Sequence, residues 1–173
     1  MGLFDLFTGR RPPTPGAARL SEGELRAALL SLDRDTSPVV VRPAREGEEG
    51  ADLVAEWRIA DARWNEIFAK AGLSKVAQAL LRLDDARSEV RAVQRDWTVE
   101  WRAGVPTLGA SAEAFRGRKV EVSWGKGWAF REEDLRFGKV YDWTFDTRAL
   151  LGPLQGAVAS CGWAWRPVAF DRL

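Results

Sequence analysis

The longest stretch of alternating apolar and polar residues runs from Glu89 to Arg102. Successive side chains on a strand point to opposite faces, so this alternation predicts a half-buried strand with its tryptophans inward. Upstream the parity is reversed, because Val90 and Ala92 are apolar. We therefore expect a bulge or a sharp bend near residues 94–96. The apolar residues of the second half share one parity: Trp97, Val99 and Trp101.

Similar patterns predict further strands on both sides of this stretch. A charged turn at residues 84–87 predicts a hairpin that joins it to the strand before it. Glycines and a proline in residues 103–118 predict a loop there, with one helical turn at Ser111–Phe115. The predicted strands lie within Val39–Val41, Leu53–Ile59, Val76–Leu83, Lys119–Phe130, Lys139–Asp146 and Gly162–Phe170.

Three segments carry helix signals. The first, Ser21–Asp33, begins with capping-box spacing between Ser21 and Glu24. The second, Asp61–Ala71, places aromatic residues on one face. The third, Pro153–Cys161, starts at a proline and ends before a glycine, and it is built mostly from small residues. A helix with so little polar surface is suited to being enclosed by a sheet.

These elements predict an α+β domain. We expect a curved, mostly antiparallel sheet or barrel of about seven to nine strands, packed around the small-residue C-terminal helix. A helix-grip sheet whose concave face holds an apolar ligand is the alternative. Residues 1–19 are predicted to be an apolar tag followed by a proline-rich linker, and residues 20–173 a single domain.

The N-terminal tag has two interpretations. Leu3, Phe4 and Phe7 form an apolar patch over one or two helical turns. It would either dock on a protein or lipid partner or pack on its own domain.

Composition narrows the function classes. The chain has 173 residues and a net charge of +1, which argues against a dedicated nucleic-acid binder. It has no histidine and one cysteine, Cys161, which excludes histidine-dependent catalysis, histidine metal sites and an intrachain disulfide. No secretory signal or membrane-spanning stretch is visible, so we expect a cytoplasmic protein, with peripheral membrane attachment through the tag. We expect no cofactor and no metal.

Nine tryptophans are unusual for this length. Their rings either line a cavity for a small ligand or fill a wide core between sheet and helices. The candidate ligand-binding residues are Trp97, Trp101, Trp124, Trp128 and Trp143.

Arginines cluster around the central hairpin. On one outer face they would form an anion-binding stripe. Alternation with acidic residues favours cross-strand ion pairs instead. The candidate anion-binding residues are Arg82, Arg91, Arg95 and Arg102.

The function most consistent with this sequence is a non-catalytic binding or adaptor domain. A small apolar-ligand carrier is the alternative. An enzyme that uses carboxylates is less favoured, because adjacent acidic residues in turns are usually solvated. The acidic candidates are Asp84, Asp85, Glu132, Glu133 and Asp134.

Several stretches resemble a family of small uncharacterised bacterial proteins, and this resemblance implies no activity. At fold level, many strands with a small-residue helix near the C-terminus are similar to the tubby and phospholipid-scramblase-like barrels. The stretches that carry the family resemblance are Asp61–Leu83, Glu89–Arg102, Phe145–Thr147 and Gly162–Arg166.

Overall fold

A computed structural model of the chain describes residues 9–59, 61, 64, 68–69, 75–102, 105–114, 147–168 and 173. For residues 102, 105 and 107–114 it describes the backbone. Within these ranges the fold is α+β, with a mostly antiparallel sheet packed against helices.

The bounds of the described elements follow chain order. The helices are α1 (Glu22–Leu30) and α2 (Thr147–Ser160), and a 3-10 turn covers Asp85–Arg87. The strands are β1 (Val39–Pro43), β2 (Leu53–Trp57), β3 (Lys75–Asp84), β4 (Glu89–Arg102), β5 (Val105–Ala114) and β6 (Ala164–Pro167).

Strands β1 to β5 lie in chain order, and each pairs antiparallel with the next. The central hairpin of β3 and β4 pairs without interruption from Asp84 opposite Glu89 to Lys75 opposite Thr98. On its other side β4 has two partners. Its first part, Glu89–Ala92, pairs parallel with β6, and its later part pairs with β5. The long strand is therefore shared between three neighbours.

The predicted irregularity near residues 94–96 is confirmed. Arg95 pairs with Ala114, whereas Trp97, two residues on, pairs with Ala110. The extra residues belong to β5, and the pairing of β4 with β3 stays in register. An insertion of this kind bends and twists a sheet locally.

The inner face of the sheet carries the main core. Side chains of β1 to β4 pack there with β6 and both helices. Helix α1 contributes Leu25 and Leu29, and α2 contributes Leu150, Leu154 and Val158, at the four-residue spacing of one helix face. The largest fully buried side chains of the described part include Trp163, Trp165, Phe68, Leu53 and Leu81.

The outer face holds a smaller apolar cluster. Val54, Leu80 and Val93 lie in register across β2, β3 and β4, and each is fully buried. The partly buried residues packed against them are Ala44, Ala51, Val168 and Leu173. Both faces of the central strands are thus covered.

Helix α1 confirms the predicted capping box. The Ser21 hydroxyl accepts a hydrogen bond from the Glu24 amide at 3.3 Å, and the Glu24 carboxylate accepts one from the Ser21 amide at 2.9 Å. The Ser21 hydroxyl also donates to the Glu24 carboxylate at 2.6 Å, and this bond, together with the one from the Ser21 amide, lowers the pKa of Glu24. The predicted β3–β4 hairpin is confirmed, and β1 and β2 form an antiparallel hairpin as well.

Two element predictions were wrong. The predicted loop with a helical turn at Ser111–Phe115 is strand β5 as far as Ala114, because pairing with β4 outweighs the weak strand preference of its glycine and alanines. Helix α2 begins six residues before Pro153, which lies exposed inside the helix instead of at its start. The buried residues Thr147 and Leu150 hold the added turns against the core.

Other predictions lie outside the described residues. These are the strands within Lys119–Phe130 and Lys139–Asp146, and most of the helix Asp61–Ala71. Of that helix the structure describes Asp61, Trp64, Phe68 and Ala69, with Trp64 and Phe68 stacked at 6.1 Å between ring centroids.

Candidate functional site: the N-terminal strap and the arginines of the sheet

Residues 9–20, called the strap below, lie against β6 and the C-terminal end of α2. Arg11 and Trp165 form an antiparallel bridge through main-chain atoms. The Arg11 amide donates to the Trp165 carbonyl at 3.0 Å, and the Trp165 amide donates to the Arg11 carbonyl at 2.8 Å. The strap therefore adds a strand-like contact to the edge of β6.

The strap also supplies donors at the end of α2. The last carbonyls of a helix have no partner within the helix. Here the Thr14 amide donates to the Ala159 carbonyl at 2.9 Å, and the Leu20 amide donates to the Cys161 carbonyl at 3.0 Å. These bonds tie a proline-rich segment to the core helix through its backbone.

Arg19 and Trp163 form the side-chain part of the contact. The Arg19 guanidinium lies 4.8 Å from the centre of the Trp163 ring, which is within cation–π range. Arg19 also pairs with Asp85 at 2.5 Å and donates to the Ser88 hydroxyl. The indole N–H of Trp163 donates to the Leu20 carbonyl at 2.8 Å. The strap is thus linked to the β3–β4 turn as well as to α2.

Gly162 lets the strap pass closely over the end of α2. Its φ is +75°, in the left-handed region that favours glycine. A Cβ there would lie 2.7 Å from the Ala18 carbonyl oxygen and from backbone atoms of Arg19. The predicted glycine exit of the helix therefore also serves the strap crossing.

The strap leads directly into the N-terminal tag. The tag residues Leu3, Phe4 and Phe7 lie outside the described residues. Arg10 and Arg11 follow them within four residues and are exposed on the domain surface. The bridge to Trp165 places the next residue of β6, Arg166, beside them, and its side chain is 40% exposed.

Three arginines form a row across the outer face of the sheet. Arg82 pairs in register with Arg91 on β4, and Arg91 pairs in register with Arg166 on β6. Like charges directly opposite one another are destabilising, so the row needs acidic neighbours. Asp84 and Glu89, opposite each other two residues along the hairpin and on the same face, supply them.

The contacts of this row confirm the pairing expected from the sequence. Arg91 lies 2.5 Å from Asp84, and Arg166 lies 3.0 Å from Glu89, whose side chain is only 8% exposed. Arg82 donates to the Gly50 carbonyl. Hydrogen bonding from Arg87 is the main cause that lowers the pKa of Asp84. Anion binding by Arg82, Arg91, Arg95 and Arg102 stays a prediction.

A second polar network lies at the β1–β2 turn. Arg42 makes two bonds to the Glu49 carboxylate, at 2.8 and 2.9 Å, and one to Glu56 at 2.8 Å. Gln78 donates to Glu56 at 2.6 Å. Hydrogen bonding from Arg42 lowers the pKa of Glu49 to about 2. Glu49 belongs to the charged turn between β1 and β2, yet its side chain is only 13% exposed, because the turn folds back onto Arg42.

Arg95 occupies the same outer face, in register with Gln78. Its side chain is half-buried, and burial lowers its pKa. The side chain of Arg102 lies outside the described part of the structure.

The described tryptophans fall into two groups. Trp57, Trp64, Trp163 and Trp165 are buried in the main core. Trp97 and Trp101 are half-buried and pack against that core. The other candidate ligand-binding tryptophans, Trp124, Trp128 and Trp143, lie outside the described residues, so a tryptophan-lined cavity stays a prediction.

The remaining candidates for chemistry are the carboxylates and Cys161. Asp84 is bound by two arginines, and Asp85 is exposed and paired with Arg19. Glu132, Glu133 and Asp134 lie outside the described residues. Burial raises the pKa of Cys161, which disfavours its thiolate. Within the described ranges, no group of three acidic, cysteine or histidine side chains is placed to hold a metal ion.

Within the part of the chain that the structure describes, no helix combines the length and apolarity needed to cross a bilayer.

Comparisons with protein-family models, with curated proteins and with solved structures found no match. The resemblance to a family of small uncharacterised bacterial proteins therefore stays a prediction.

Sequence reasoning missed three features of this site. It did not place Arg166 with the hairpin arginines, because β6 follows β4 by more than sixty residues and joins it in parallel. It also missed the backbone attachment of the strap, for which proline content gives no signal. Gly162 is a sequence signal at the strap crossing, but a glycine in this position predicts only the end of the helix.

Proposed function

We propose that the protein is a non-catalytic adaptor domain that attaches to a protein or lipid partner through the apolar residues Leu3, Phe4 and Phe7. The folded domain holds the strap, and the strap presents the tag at the sheet edge. The anchored strap is the single observation that carries this proposal.

Anchoring matters for binding energetics. A tag on a flexible linker loses conformational freedom when it binds, whereas a tag that starts from a fixed point loses less. The bridge at Arg11 fixes the chain two residues after Gly9, the first described residue. Four main-chain hydrogen bonds then hold Arg11, Thr14 and Leu20 to the domain. This arrangement is suited to presenting a binding segment from a fixed point.

The electrostatics favour a non-catalytic domain. A general acid at neutral pH needs a carboxyl group with a raised pKa. Among the described carboxylates whose pKa is shifted, Glu24, Glu49 and Asp84, the shift is downward in each case. These groups are held ionised by hydrogen-bond donors, which is typical of structural pairs.

The test is vesicle flotation and pull-down with the variant Leu3→Ser/Phe4→Ser/Phe7→Ser. We expect binding to vesicles or to a captured protein to be lost, with the thermal unfolding temperature of the domain unchanged. Deletion of residues 1–18 is not a suitable substitute, because it also removes most of the strap and its bonds to α2. Unchanged binding by the triple variant would refute the proposal.

A small-ligand carrier is the second candidate. The half-burial of Trp97 and Trp101 on one parity of β4 favours it, because such rings keep one part available to a ligand. Quenching or a spectral shift of tryptophan fluorescence with a lipid or metabolite, lost in Trp97→Phe/Trp101→Phe, would support it. No change across a ligand panel would remove it.

We also propose a finer fold and location. The predicted strands within residues 119–146 would extend the sheet and curve it towards a barrel of seven to nine strands. The irregularity opposite Arg95–Trp97 supports this, because such insertions turn corners in curved sheets. We propose that the protein is cytoplasmic and attached peripherally to a membrane. We also propose that it is related to the family of small uncharacterised bacterial proteins that its sequence resembles.

A further inference from the structure

We infer that the partner of the tag is an anionic lipid surface, and that Arg10, Arg11 and Arg166 bind its phosphate groups. This inference rests on the proposed function and adds the chemistry of the partner. It begins from the apolar side chains of the tag, which are followed immediately by two exposed arginines.

The fold adds the third arginine. Bridge partners on antiparallel strands lie about 5 Å apart between Cα atoms. Since Arg11 is bridged to Trp165, Arg166 lies one residue from that contact although it is 155 positions away in the chain. The backbones of Arg10, Arg11 and Arg166 therefore lie close together where the strap joins the edge of β6.

The arrangement leaves positive charge at this edge. The bridge engages main-chain atoms of Arg11, and both Arg10 and Arg11 are exposed. Arg166 pairs with Glu89, but that carboxylate is nearly buried and also lies 3.4 Å from Arg91. Arg42, at the β1–β2 turn, differs from these arginines because its positive charge is compensated by Glu49 and Glu56 on either side of it.

A membrane surface fits this combination better than a protein or a nucleic acid. A short apolar segment binds a bilayer only marginally by itself, and stable attachment takes a second, basic signal. Arginine supplies that signal, because its guanidinium matches phosphate oxygens with two donors. The whole chain carries a net charge of only +1, so general attraction to nucleic acid is weak and the local cluster matters.

The test is flotation of the full chain with vesicles of phosphatidylcholine alone or mixed with phosphatidylglycerol. Each basic residue near an anionic surface contributes enough that removing three should weaken partitioning on the order of a hundredfold. The test variant is Arg10→Gln/Arg11→Gln/Arg166→Gln. The matched control, Arg34→Gln/Arg45→Gln/Arg148→Gln, removes the same charge from exposed positions elsewhere and should bind mixed vesicles like the unmodified chain.

A second variant protects the test against a folding defect. Arg10→Gln/Arg11→Gln leaves the Arg166–Glu89 pair in place and should weaken binding to mixed vesicles by about thirtyfold. Added salt should weaken binding of the unmodified chain.

Three outcomes would overturn the inference. They are equal binding to neutral and mixed vesicles, equal losses in the test and control variants, and capture of a protein by the tag without vesicle binding. In each of these the tag still binds and the proposed function survives. Unchanged binding by the Leu3→Ser/Phe4→Ser/Phe7→Ser variant would instead refute the proposed function.

Discussion

The β1–β2 turn and the strap are two surface segments that the domain holds by different means. The turn is held by side chains, chiefly the Glu49 carboxylate on the Arg42 guanidinium. The strap is held mainly by its backbone, with Arg19 and Trp163 as the side-chain contribution. The first attachment depends on ionised groups, whereas most of the second does not.

This difference separates structural arginines from available ones. At the turn, Arg42 is enclosed by two carboxylates, which more than compensate its positive charge. The strap is held to the domain by main-chain hydrogen bonds, so the side chains of Arg10 and Arg11 remain exposed. Where main-chain hydrogen bonds hold a segment to the domain, the charged side chains of that segment therefore stay available for a partner.

The largest effect is expected from Gly162→Ala. The added Cβ would collide with backbone atoms of Ala18 and Arg19, and alanine disfavours a φ of +75°. We expect a loss of about 2–4 kcal/mol in the free energy of unfolding, and displacement of the strap. Urea denaturation and trypsin cleavage after Arg19 would measure these effects. Wild-type stability with an uncleaved strap would contradict the close crossing.

Glu49→Gln weakens the contact with Arg42 that holds the β1–β2 turn. Loss of a charged acceptor for Arg42 should cost about 1–3 kcal/mol at neutral pH, while the exposed Glu46→Gln in the same turn should cost almost nothing. Chemical denaturation of both variants would measure the difference. Equal stabilities would show that the Glu49 contact is not stabilising.

The same pair predicts a pH dependence. The pKa of Glu49 is lowered in the folded state to about 2 from an ordinary 4.5. Its stabilisation is therefore complete above about pH 4.5 and is lost as the pH falls towards 2. The stability difference between the unmodified chain and Glu49→Gln should shrink over that range. A constant difference would contradict the shifted pKa.

Arg19→Met is expected to have a smaller effect. It removes the cation–π contact and an ion pair whose side chains are 41% and 58% exposed, so we expect a loss of roughly 0.5–1 kcal/mol. The strap should stay attached through its backbone, with stability measured by urea denaturation and attachment by slow hydrogen exchange of the Thr14 and Leu20 amides. Release of the strap in this variant would mean that side chains, and not the backbone, hold it.

The smallest effect is a gain from Gly156→Ala in α2. A Cβ at this position would meet nothing within 4 Å, so the helix should gain about 0.5–1 kcal/mol. Thermal unfolding would measure it, and a loss would show that this helix face is covered. The expected gain in stability from Gly156→Ala and loss from Gly162→Ala separate the effect of helix propensity from the effect of the close strap crossing.

The sequence predicted the fold best where local signals and tertiary contacts agree. The capping box at Ser21, the bounds of β4 and the β3–β4 hairpin follow from local pattern and turn residues. Strand β5 was missed, because its sequence has little strand preference and pairing with β4 determines its structure. The early start of α2 was missed because Pro153 is a strong start signal, and burial of Leu150 outweighs it.

The candidate site was less predictable. Pairing of Arg91 with Asp84 could be expected from charge alternation within one hairpin. The place of Arg166 depends on a parallel pairing between distant segments, and the strap attachment depends on main-chain atoms that every residue shares. No pattern of side chains reports either of them.

Amide hydrogen exchange tests the anchored strap most directly. We expect the Arg11, Thr14 and Leu20 amides to exchange nearly as slowly as the Trp165 amide, because all four donate to main-chain carbonyls. In Gly162→Ala the three strap amides should lose this protection. Exchange of the strap amides at the rate of an unfolded chain in the unmodified protein would contradict the account.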